Sequence, residues 1–175
     1  MIDLASRIRD VPDFPKPGIV FKDITPLLQD AEALTGAVDA LAERVTPLRP
    51  DIVLGAESRG FILGPALAIR LGVGFAIARK PGKLPWTTVT ASYALEYGED
   101  SLELHDDAIE AGMRVLVHDD LLATGGTARA TCDLAEAVGS TVVGCAFLIE
   151  LAFLGGRARL APFPVEALIS YASEG

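Results

Sequence analysis

The residues best suited to chemistry lie between positions 115 and 130, where the sequence reads VLVHDDLLATGGTARA. A short apolar run is followed by two adjacent carboxylates, Asp119 and Asp120, and then by a loop of small residues. Glycines let a backbone approach a ligand closely, and free amides at the start of a helix bind phosphate. Carboxylates beside such a loop suit sugar hydroxyls or the waters of a Mg²⁺ ion. The segment therefore predicts a site for a phosphorylated sugar, with a loop made of Ala123, Thr124, Gly125, Gly126 and Thr127.

The elements that must position this loop are a strand and a helix. Residues 115–117 are apolar enough for a buried strand of a parallel sheet, and the alanine-rich stretch 128–138 favours a helix that Gly139 ends. A strand-to-helix turn in an α/β sheet lies at the carboxyl edge, where ligands bind. His118 immediately precedes the acidic pair, and we assign it no catalytic role.

The rest of the chain alternates between strand and helix patterns. An apolar stripe from Leu34 to Val45 predicts a helix with Asp30 as its N-cap, and residues 61–71 predict a second helix. Between them, Arg59 follows directly after a strand. Short apolar runs predict buried strands at 52–55, 74–78, 141–149 and 165–169.

Less regular patterns occur in two other places. Leu4, Ile8 and Val11 have helical spacing, and the proline-rich stretch 12–18 must be irregular. A cluster of cations surrounds a Pro-Gly turn in the middle of the chain, and it is followed by an apparent loop at 84–90 and a hairpin formed by 91–97 and 101–105. The cations are Arg79, Lys80 and Lys83.

Composition limits the classes of function. A chain of 175 residues predicts one domain, and a net charge of −9 argues against a nucleic-acid surface. No apolar run is long enough to span a membrane, and the charged N-terminus does not predict a signal peptide. Cys132 and Cys145 fit no zinc site, so we expect buried thiols in a cytoplasmic protein.

The strand, the acidic pair and the T-G-G-T loop resemble the phosphoribosyl-pyrophosphate motif of the type I phosphoribosyltransferases. The segment is neither a Walker A loop nor a Rossmann fingerprint, because it lacks both the Gly-Lys-Ser/Thr ending and the G-x-G-x-x-G spacing. Over nearly its whole length the chain is similar to the adenine-specific members of that family. The supporting segments are PDFPKPGIVFKDITPLL at 12–28, ESRGFILGP at 57–65, RKPGKLP at 79–85 and SYALEYG at 92–98.

The resemblance implies an α/β type I phosphoribosyltransferase fold in a single domain, 1–175, with a mostly parallel central sheet flanked by helices. It also implies a small N-terminal hood at about 12–28 and a flexible catalytic loop at about 83–98. The implied reaction is a step of purine salvage: adenine and phosphoribosyl pyrophosphate give AMP and pyrophosphate, with Mg²⁺ held mainly by the substrate. Family members are commonly homodimers, and the resemblance implies neither a nucleic-acid nor a membrane partner.

The resemblance also assigns roles to residues. Adenine would lie between Phe21 and Leu121, with the backbone of Val20 and Lys22 reading its amino edge. Glu96 would handle the proton at the purine N7, beside Tyr97. The acidic pair would hold the ribose hydroxyls and the loop would hold the 5′-phosphate. The cations expected to stabilise the leaving diphosphate are Arg59, Arg79, Lys83 and Lys80.

Two alternatives remain open from the sequence. One is a phosphoribosyltransferase for another base, such as guanine, xanthine or orotate. The other is a non-catalytic sensor of phosphoribosyl pyrophosphate that regulates transcription or RNA. The acidic balance and the short chain oppose the sensor, and release of pyrophosphate in the presence of adenine would separate the two classes.

Overall fold

The computed structural model describes residues 3–94 and 99–173, and these residues form three sheets. The strands are β1 (Arg9–Pro12), β2 (Val20–Asp23), β3 (Ile52–Ala56), β4 (Gly74–Ala78), β5 (Thr88–Ala94), β6 (Glu99–His105), β7 (Arg114–Leu122), β8 (Thr141–Leu151) and β9 (Val165–Tyr171).

The central sheet is parallel throughout its described strands, which lie in the order β4-β3-β7-β8-β9. All five were predicted from apolar runs, and the α/β class is confirmed. On β7, Val115 and Val117 face one hydrophobic core while Leu116 faces the other, as the alternation of side chains along a strand requires. Parallel strands that are covered on both faces read as continuous apolar runs, which is why the sequence marked them clearly.

One boundary in this sheet differs from the prediction. The sequence placed the acidic pair after the strand, but β7 continues through both carboxylates to Leu122. Its pairing with β8 continues at Asp119 opposite Phe147 and at Leu121 opposite Ile149. The strand continues because β8, with 11 residues against nine in β7, still offers backbone partners where the side chains of β7 become polar.

Helices cover both faces of the central sheet. On one side, α1 (Thr25–Gln29), α2 (Ala31–Val45) and α3 (Gly60–Leu71) enclose a core with β3, β7 and β8. On the other side, α4 (Gly126–Ala137) packs with β6 and the opposite face of β7. The predicted N-cap of α2 is confirmed, because the Asp30 carboxylate accepts hydrogen bonds from the amides of Glu32 and Ala33. A single-turn helix, α5 (Gly156–Arg159), lies between β8 and β9.

The buried state predicted for the two cysteines is confirmed. Cys132 on α4 and Cys145 on β8 are free thiols with no solvent exposure, and their sulfur atoms lie 3.6 Å apart. The pair therefore belongs to the packing between the helix and the sheet.

The N-terminal segment is mainly a hairpin rather than the short helix that the spacing of Leu4, Ile8 and Val11 predicts. Only Ala5–Arg7 forms a helical turn, of the 3₁₀ type, and Val11 lies in β1 opposite Phe21 of β2. The helical prediction for Val11 was wrong because a non-local strand partner, which the local spacing does not reveal, overrides it.

The second antiparallel pair, β5 and β6, begins earlier than predicted. Residues 88–90 were assigned to a loop, but Thr88 pairs with His105 and Val89 with Leu104. Leu104 is fully buried, so a core contact supports the pairing. The polar residues around Thr88 do not reveal this contact. The sequence placed the turn of this hairpin at 98–100, but Glu99 and Asp100 belong to β6, where they pair with Ala94 and Tyr93. Residues 95–98 lie outside the described part of the chain.

Among the described residues, no helix combines the length and the apolar character that crossing a membrane requires.

Two residues of α3 provide a test of the packing. Leu67 is fully buried, whereas Ile69 is 80% exposed on the same helix. We expect Leu67→Ala to lower the free energy of unfolding by about 2–5 kcal/mol, because it removes buried methyl groups and leaves a cavity. Ile69→Ala should change it by less than about 0.5 kcal/mol. Urea denaturation monitored by circular dichroism measures both variants, and equal losses would contradict the assigned face of α3.

Candidate active site

The connections after β3 and β7 leave the sheet on opposite faces. The chain passes from β3 into α3 on one face, and from β7 into α4 on the other, although the two strands are hydrogen-bonded neighbours. Adjacent parallel strands whose helices diverge in this way open a crevice at their carboxyl ends, where α/β proteins bind ligands. The acidic pair and the Gly-Thr loop both lie at this crevice.

The acidic pair is the most strongly perturbed group at the crevice. Asp120 is 1% exposed, and both of its carboxylate oxygens lack a hydrogen-bond donor within the described residues. Asp119 is partly buried and accepts a hydrogen bond from the Asp120 amide at 2.9 Å. Burial and the neighbouring charge of Asp120 raise the pKa of Asp119 well above its ordinary value. Burial also raises the pKa of Asp120, although the nearby guanidinium of Arg59 opposes this.

Arg59 connects the loop after β3 to this acidic pair. Its Nε lies 3.2 Å from Oδ2 of Asp120, as an ion pair without hydrogen-bond alignment. Its guanidinium carbon also lies 5.4 Å from the centre of the Phe21 ring. Gly60 makes the approach possible, because a Cβ at that position would lie 2.8 Å from the His118 carbonyl oxygen.

The Gly-Thr loop runs from the end of β7 into α4. Gly125 has a φ of +83°, a left-handed conformation that glycine adopts without strain, and α4 begins at the next residue. No side chain caps this helix start, so its first backbone amides remain available to a ligand. The Thr127 hydroxyl lies 3.4 Å from the Tyr93 hydroxyl, which joins the loop to β5.

These elements enclose a groove of about 780 Å³, which is within the size range of small-molecule sites. One wall is the Gly-Thr loop, another comes from the N-terminal hairpin, and a third comes from the region after β8. The lining residues are Ile19, Val20, Arg59, Tyr93, Asp119, Leu121, Leu122, Ala123, Thr124, Gly125, Gly126, Thr127, Ala128, Leu151, Phe153, Leu154 and Arg159.

The predicted basic segment lies beside the groove and is not part of its lining. Arg79 is 3.2 Å from Glu57, and Lys83 also pairs with Glu57. Lys80 pairs with Asp100 and donates a hydrogen bond to the Tyr93 hydroxyl at 3.1 Å.

These pairings perturb the carboxylate that the basic segment shares. Burial alone would raise the pKa of Glu57, but hydrogen bonds from the Lys83 side chain and the Lys80 amide, together with the charge of Arg79, lower it overall. The cations are therefore ion-paired with carboxylates, and Tyr93 links them to the groove.

The N-terminal hairpin contributes the residues predicted to bind the base. Val20 lines the groove, whereas Phe21 lies beneath the Arg59 guanidinium and contacts Phe14 edge-to-face at 5.1 Å. The Lys22 side chain points away from any ligand: it is 3% exposed, it pairs with Asp10 at 2.7 Å, and its ammonium lies over the Tyr171 ring. Only the backbone of Lys22 is therefore consistent with the predicted contact.

Two predicted residues, Glu96 and Tyr97, lie outside the described part of the chain. His118 is fully buried, and its Nδ1 is 2.9 Å from the Ala146 carbonyl oxygen. Burial lowers the pKa of His118 to about 4, so its ring is neutral at pH 7 and holds a place in the sheet. Within residues 3–94 and 99–173, no group of three or more His, Cys, Asp or Glu side chains could hold a metal ion.

Sequence reasoning missed two polar residues of the groove, Tyr93 and Arg159. Tyr93 was read only as a strand residue, and Arg159 only as an exposed residue of a helical turn. The sequence did offer a signal for Tyr93: this residue lies near the start of the predicted strand that follows the basic segment. No local signal marks Arg159, because its location depends on how α5 packs against the Gly-Thr loop.

Comparison with known proteins gives consistent results. The model of the family described as "Phosphoribosyl transferase domain" matches residues 26–160. The adenine phosphoribosyltransferase of Rubrobacter xylanophilus is 60% identical over 169 residues, which cover 96% of this chain and 91% of that protein. The crystal structure of the Thermoanaerobacter pseudethanolicus enzyme of that name aligns with a TM-score of 0.95 at 49% identity, covering 97% of this chain and 98% of the other.

A third similar structure contains ligands. It is the adenine phosphoribosyltransferase of Saccharomyces cerevisiae, complexed with adenine and an imino-altritol bisphosphate. It aligns with a TM-score of 0.88 at 40% identity and covers 93% of this chain and 94% of its own.

The raised pKa of Asp119 leads to a prediction about stability. A carboxyl whose pKa is higher in the folded chain than in the unfolded chain opposes folding once it ionises. This cost is absent below the ordinary pKa of 3.8, grows as the pH rises from there towards the raised value, and is constant above it. We therefore expect Asp119→Asn to melt at a higher temperature than the parent at pH 8, with the difference shrinking towards pH 4. For a chain of this length, each kcal/mol corresponds to about 2–4 °C.

The matched control is Asp107→Asn at an exposed position in a turn. Differential scanning calorimetry across this pH range measures both variants. A loss of stability in Asp119→Asn at pH 8, or a gain that is independent of pH, would contradict the assigned environment.

Proposed function

Because the chain belongs to the adenine phosphoribosyltransferase family, we propose that this groove is the site where it transfers the 5-phosphoribosyl group of phosphoribosyl pyrophosphate to adenine. The chain is a purine salvage enzyme, a pentosyltransferase whose products are AMP and pyrophosphate. One observation carries the assignment of the site. Asp119, which precedes the buried Asp120, and the open amides of the Gly-Thr loop line the same groove, at the diverging ends of neighbouring strands.

The Gly-Thr loop binds the 5′-phosphate in this proposal. The left-handed Gly125 turns the chain so that successive amides can converge on one ligand, and the uncapped start of α4 supplies further donors. The hydroxyls of Thr124 and Thr127 add side-chain donors. All five residues of the loop line the groove, which supports this assignment.

The acidic pair binds the ribose hydroxyls and favours the positive charge that develops on the sugar as the bond from C1′ to diphosphate breaks. Asp120 supports this role because its buried oxygens lack hydrogen-bond donors, and ribose hydroxyls would supply them. Ionised carboxylates next to a developing cation are worth more in a buried site than in water. We therefore expect Asp120→Asn to weaken binding of the sugar donor, to slow turnover, or both.

The donor set fits Mg²⁺ only when the ion is bound mainly by the substrate. This ion keeps several waters and is held by one or two carboxylates together with substrate phosphates, rather than by a cage of protein ligands. Asp119 and Asp120 would contact the waters of the ion rather than the ion itself, and neither belongs to a larger cluster of metal-ligating groups within the described residues. When bound, Mg²⁺ neutralises charge on the departing diphosphate.

The leaving diphosphate is stabilised by Arg59, Arg79 and Lys83, with Lys80 beside them. Each of these cations is paired with a carboxylate here, so diphosphate binding exchanges one anionic partner for another. Removing one well-placed electrostatic group from a transition state typically costs about 3–4 kcal/mol.

Adenine binds between Phe21 and Leu121, with its amino edge at the backbone of Val20 and Lys22. Leu121 and Val20 line the groove, which supports this arrangement. Arg59 covers the Phe21 ring, so the guanidinium must move before a purine can stack there. Movement of Arg59 towards the diphosphate would open the base pocket and supply a cation to the leaving group in one step.

The remaining assignments depend on family membership. Glu96 handles the proton at the purine N7 beside Tyr97, and the segment 83–98 closes over the sugar to exclude water, which would otherwise capture the sugar cation. The chain works as a homodimer in the cytoplasm. It forms a single domain, 1–175, in which residues of about 12–28 act as a hood over the base.

A coupled assay of pyrophosphate release tests the function and its specificity. With Mg²⁺ and phosphoribosyl pyrophosphate, we expect turnover with adenine. Bases that lack the 6-amino group should have less than about one ten-thousandth of the kcat/KM of adenine, since a site built to hydrogen-bond a group rejects analogues without it. Equal rates with hypoxanthine or guanine would contradict the assigned base pocket. Tight donor binding without turnover would favour the sensor.

Phe21→Ala tests the base pocket itself. We expect the KM for adenine to rise about tenfold or more, because stacking and apolar contact together are worth upwards of ~1.4 kcal/mol. The KM for the sugar donor should change less than about threefold, since the pocket does not touch the phosphates. Phe14→Ala is the matched control, because Phe14 packs edge-to-face against Phe21 but is half exposed and has no proposed contact with the base. A larger effect on the sugar donor than on adenine would move the base pocket elsewhere.

A further inference from the structure

Arg159 differs from the other cations at and beside the groove. Arg59, Arg79, Lys80 and Lys83 each pair with a carboxylate, whereas Arg159 lines the groove without an ion pair or hydrogen bond to any described residue. The chain carries a net charge of −9, and carboxylates are available to neutralise most of its cations. An arginine that lines a ligand groove and pairs with no carboxylate of the described residues is therefore suited to bind an anion.

The packing of α5 brings this arginine to the Gly-Thr loop. A Cβ at Gly156 would lie 2.2 Å from the Ala123 carbonyl oxygen, and one at Gly125 would lie 2.7 Å from the Gly156 carbonyl oxygen. The two backbones can approach so closely only because both residues are glycines. At this contact, the Cβ of Arg159 itself lies 3.2 Å from the position of a Cβ at Gly125.

The other arginine of α5 has a different role. Arg157 donates to both carboxylate oxygens of Glu150, at 3.0 and 2.6 Å, and to the Val165 carbonyl oxygen at 2.6 Å. These bonds fix α5 against β8 and β9. Arg157 therefore holds the helix in place, and the helix presents Arg159 to the groove.

We propose that the Arg159 guanidinium binds the 5′-phosphate together with the loop amides. This inference rests on the proposed function, because it assumes that the Gly-Thr loop holds that phosphate. Guanidinium forms paired, charge-assisted hydrogen bonds with phosphate oxygens and keeps its charge at any working pH. Backbone amides supply only partial charges, so a full positive charge at this wall lets the groove distinguish a phosphorylated riboside from an unphosphorylated one.

The test compares AMP with adenosine, which differ only in the 5′-phosphate. Isothermal titration calorimetry gives both affinities for the parent chain, Arg159→Ala and Arg159→Lys. We expect Arg159→Ala to weaken AMP binding by about 10- to 100-fold, the range for a hydrogen bond to a charged group. Adenosine binding should change less than about twofold. Arg159→Lys should retain part of the AMP affinity, because it keeps the charge but loses the paired geometry.

The matched control is Arg70→Ala, which removes one positive charge from an exposed ion pair with Asp39 on the helical side of the molecule. It should leave both affinities unchanged. In steady-state assays, Arg159→Ala should raise the KM for phosphoribosyl pyrophosphate about tenfold or more and leave the KM for adenine within about twofold.

Unchanged AMP affinity in Arg159→Ala would overturn the inference, and so would an equal loss for AMP and adenosine, which would assign Arg159 to the ribose or the base. A parent chain that binds AMP no more tightly than adenosine would instead contradict the phosphate site of the proposed function. The two failures are therefore distinguishable.

Discussion

The burial of two adjacent carboxylates at the end of a central strand is the constraint on which the site depends. Burial raises the pKa of both carboxyls, and the charge of Asp120 raises that of Asp119 further. The described part of the chain offers only Arg59 as a nearby opposite charge. That contact requires β3 and β7 to be neighbours, because Arg59 comes from the loop after β3. The charge balance of the site therefore depends on the order of the strands.

Close backbone contacts bring the walls of the groove together, although these walls come from separate parts of the chain. Gly60 lets the start of α3 approach the end of β7, and the Gly125–Gly156 contact brings α5 against the Gly-Thr loop. A methyl group at any of these positions would overlap a neighbouring carbonyl oxygen. The glycines of this site therefore have two roles. Gly125 leaves the first amides of α4 available to a ligand, and all three glycines allow the walls of the groove to approach each other.

The sequence predicted the parts of the molecule that local pattern determines. Buried parallel strands, the capped helix α2 and the acidic pair with its loop are all encoded in contiguous residues. Errors arose where a distant partner decides the outcome. Val11 pairs with Phe21 across a hairpin, and Thr88 begins a strand because His105 lies opposite. The lining role of Arg159 was missed for the same reason, since it depends on a contact between loops that are far apart in the sequence.

The ion pairs around the groove explain how a chain of net charge −9 keeps cations ready for an anionic substrate. Arg59, Lys80 and Lys83 are each held by a carboxylate, and each cation keeps about a third or more of its side chain exposed. The carboxylates of these pairs are largely buried, whereas the cations remain in contact with solvent. A diphosphate, with several negative charges and many acceptor oxygens, can therefore reach the cations and compete for them. In the proposed reaction, pairing with carboxylates orients the cations before the substrate binds, and their exposed ends allow each one to contact the leaving group.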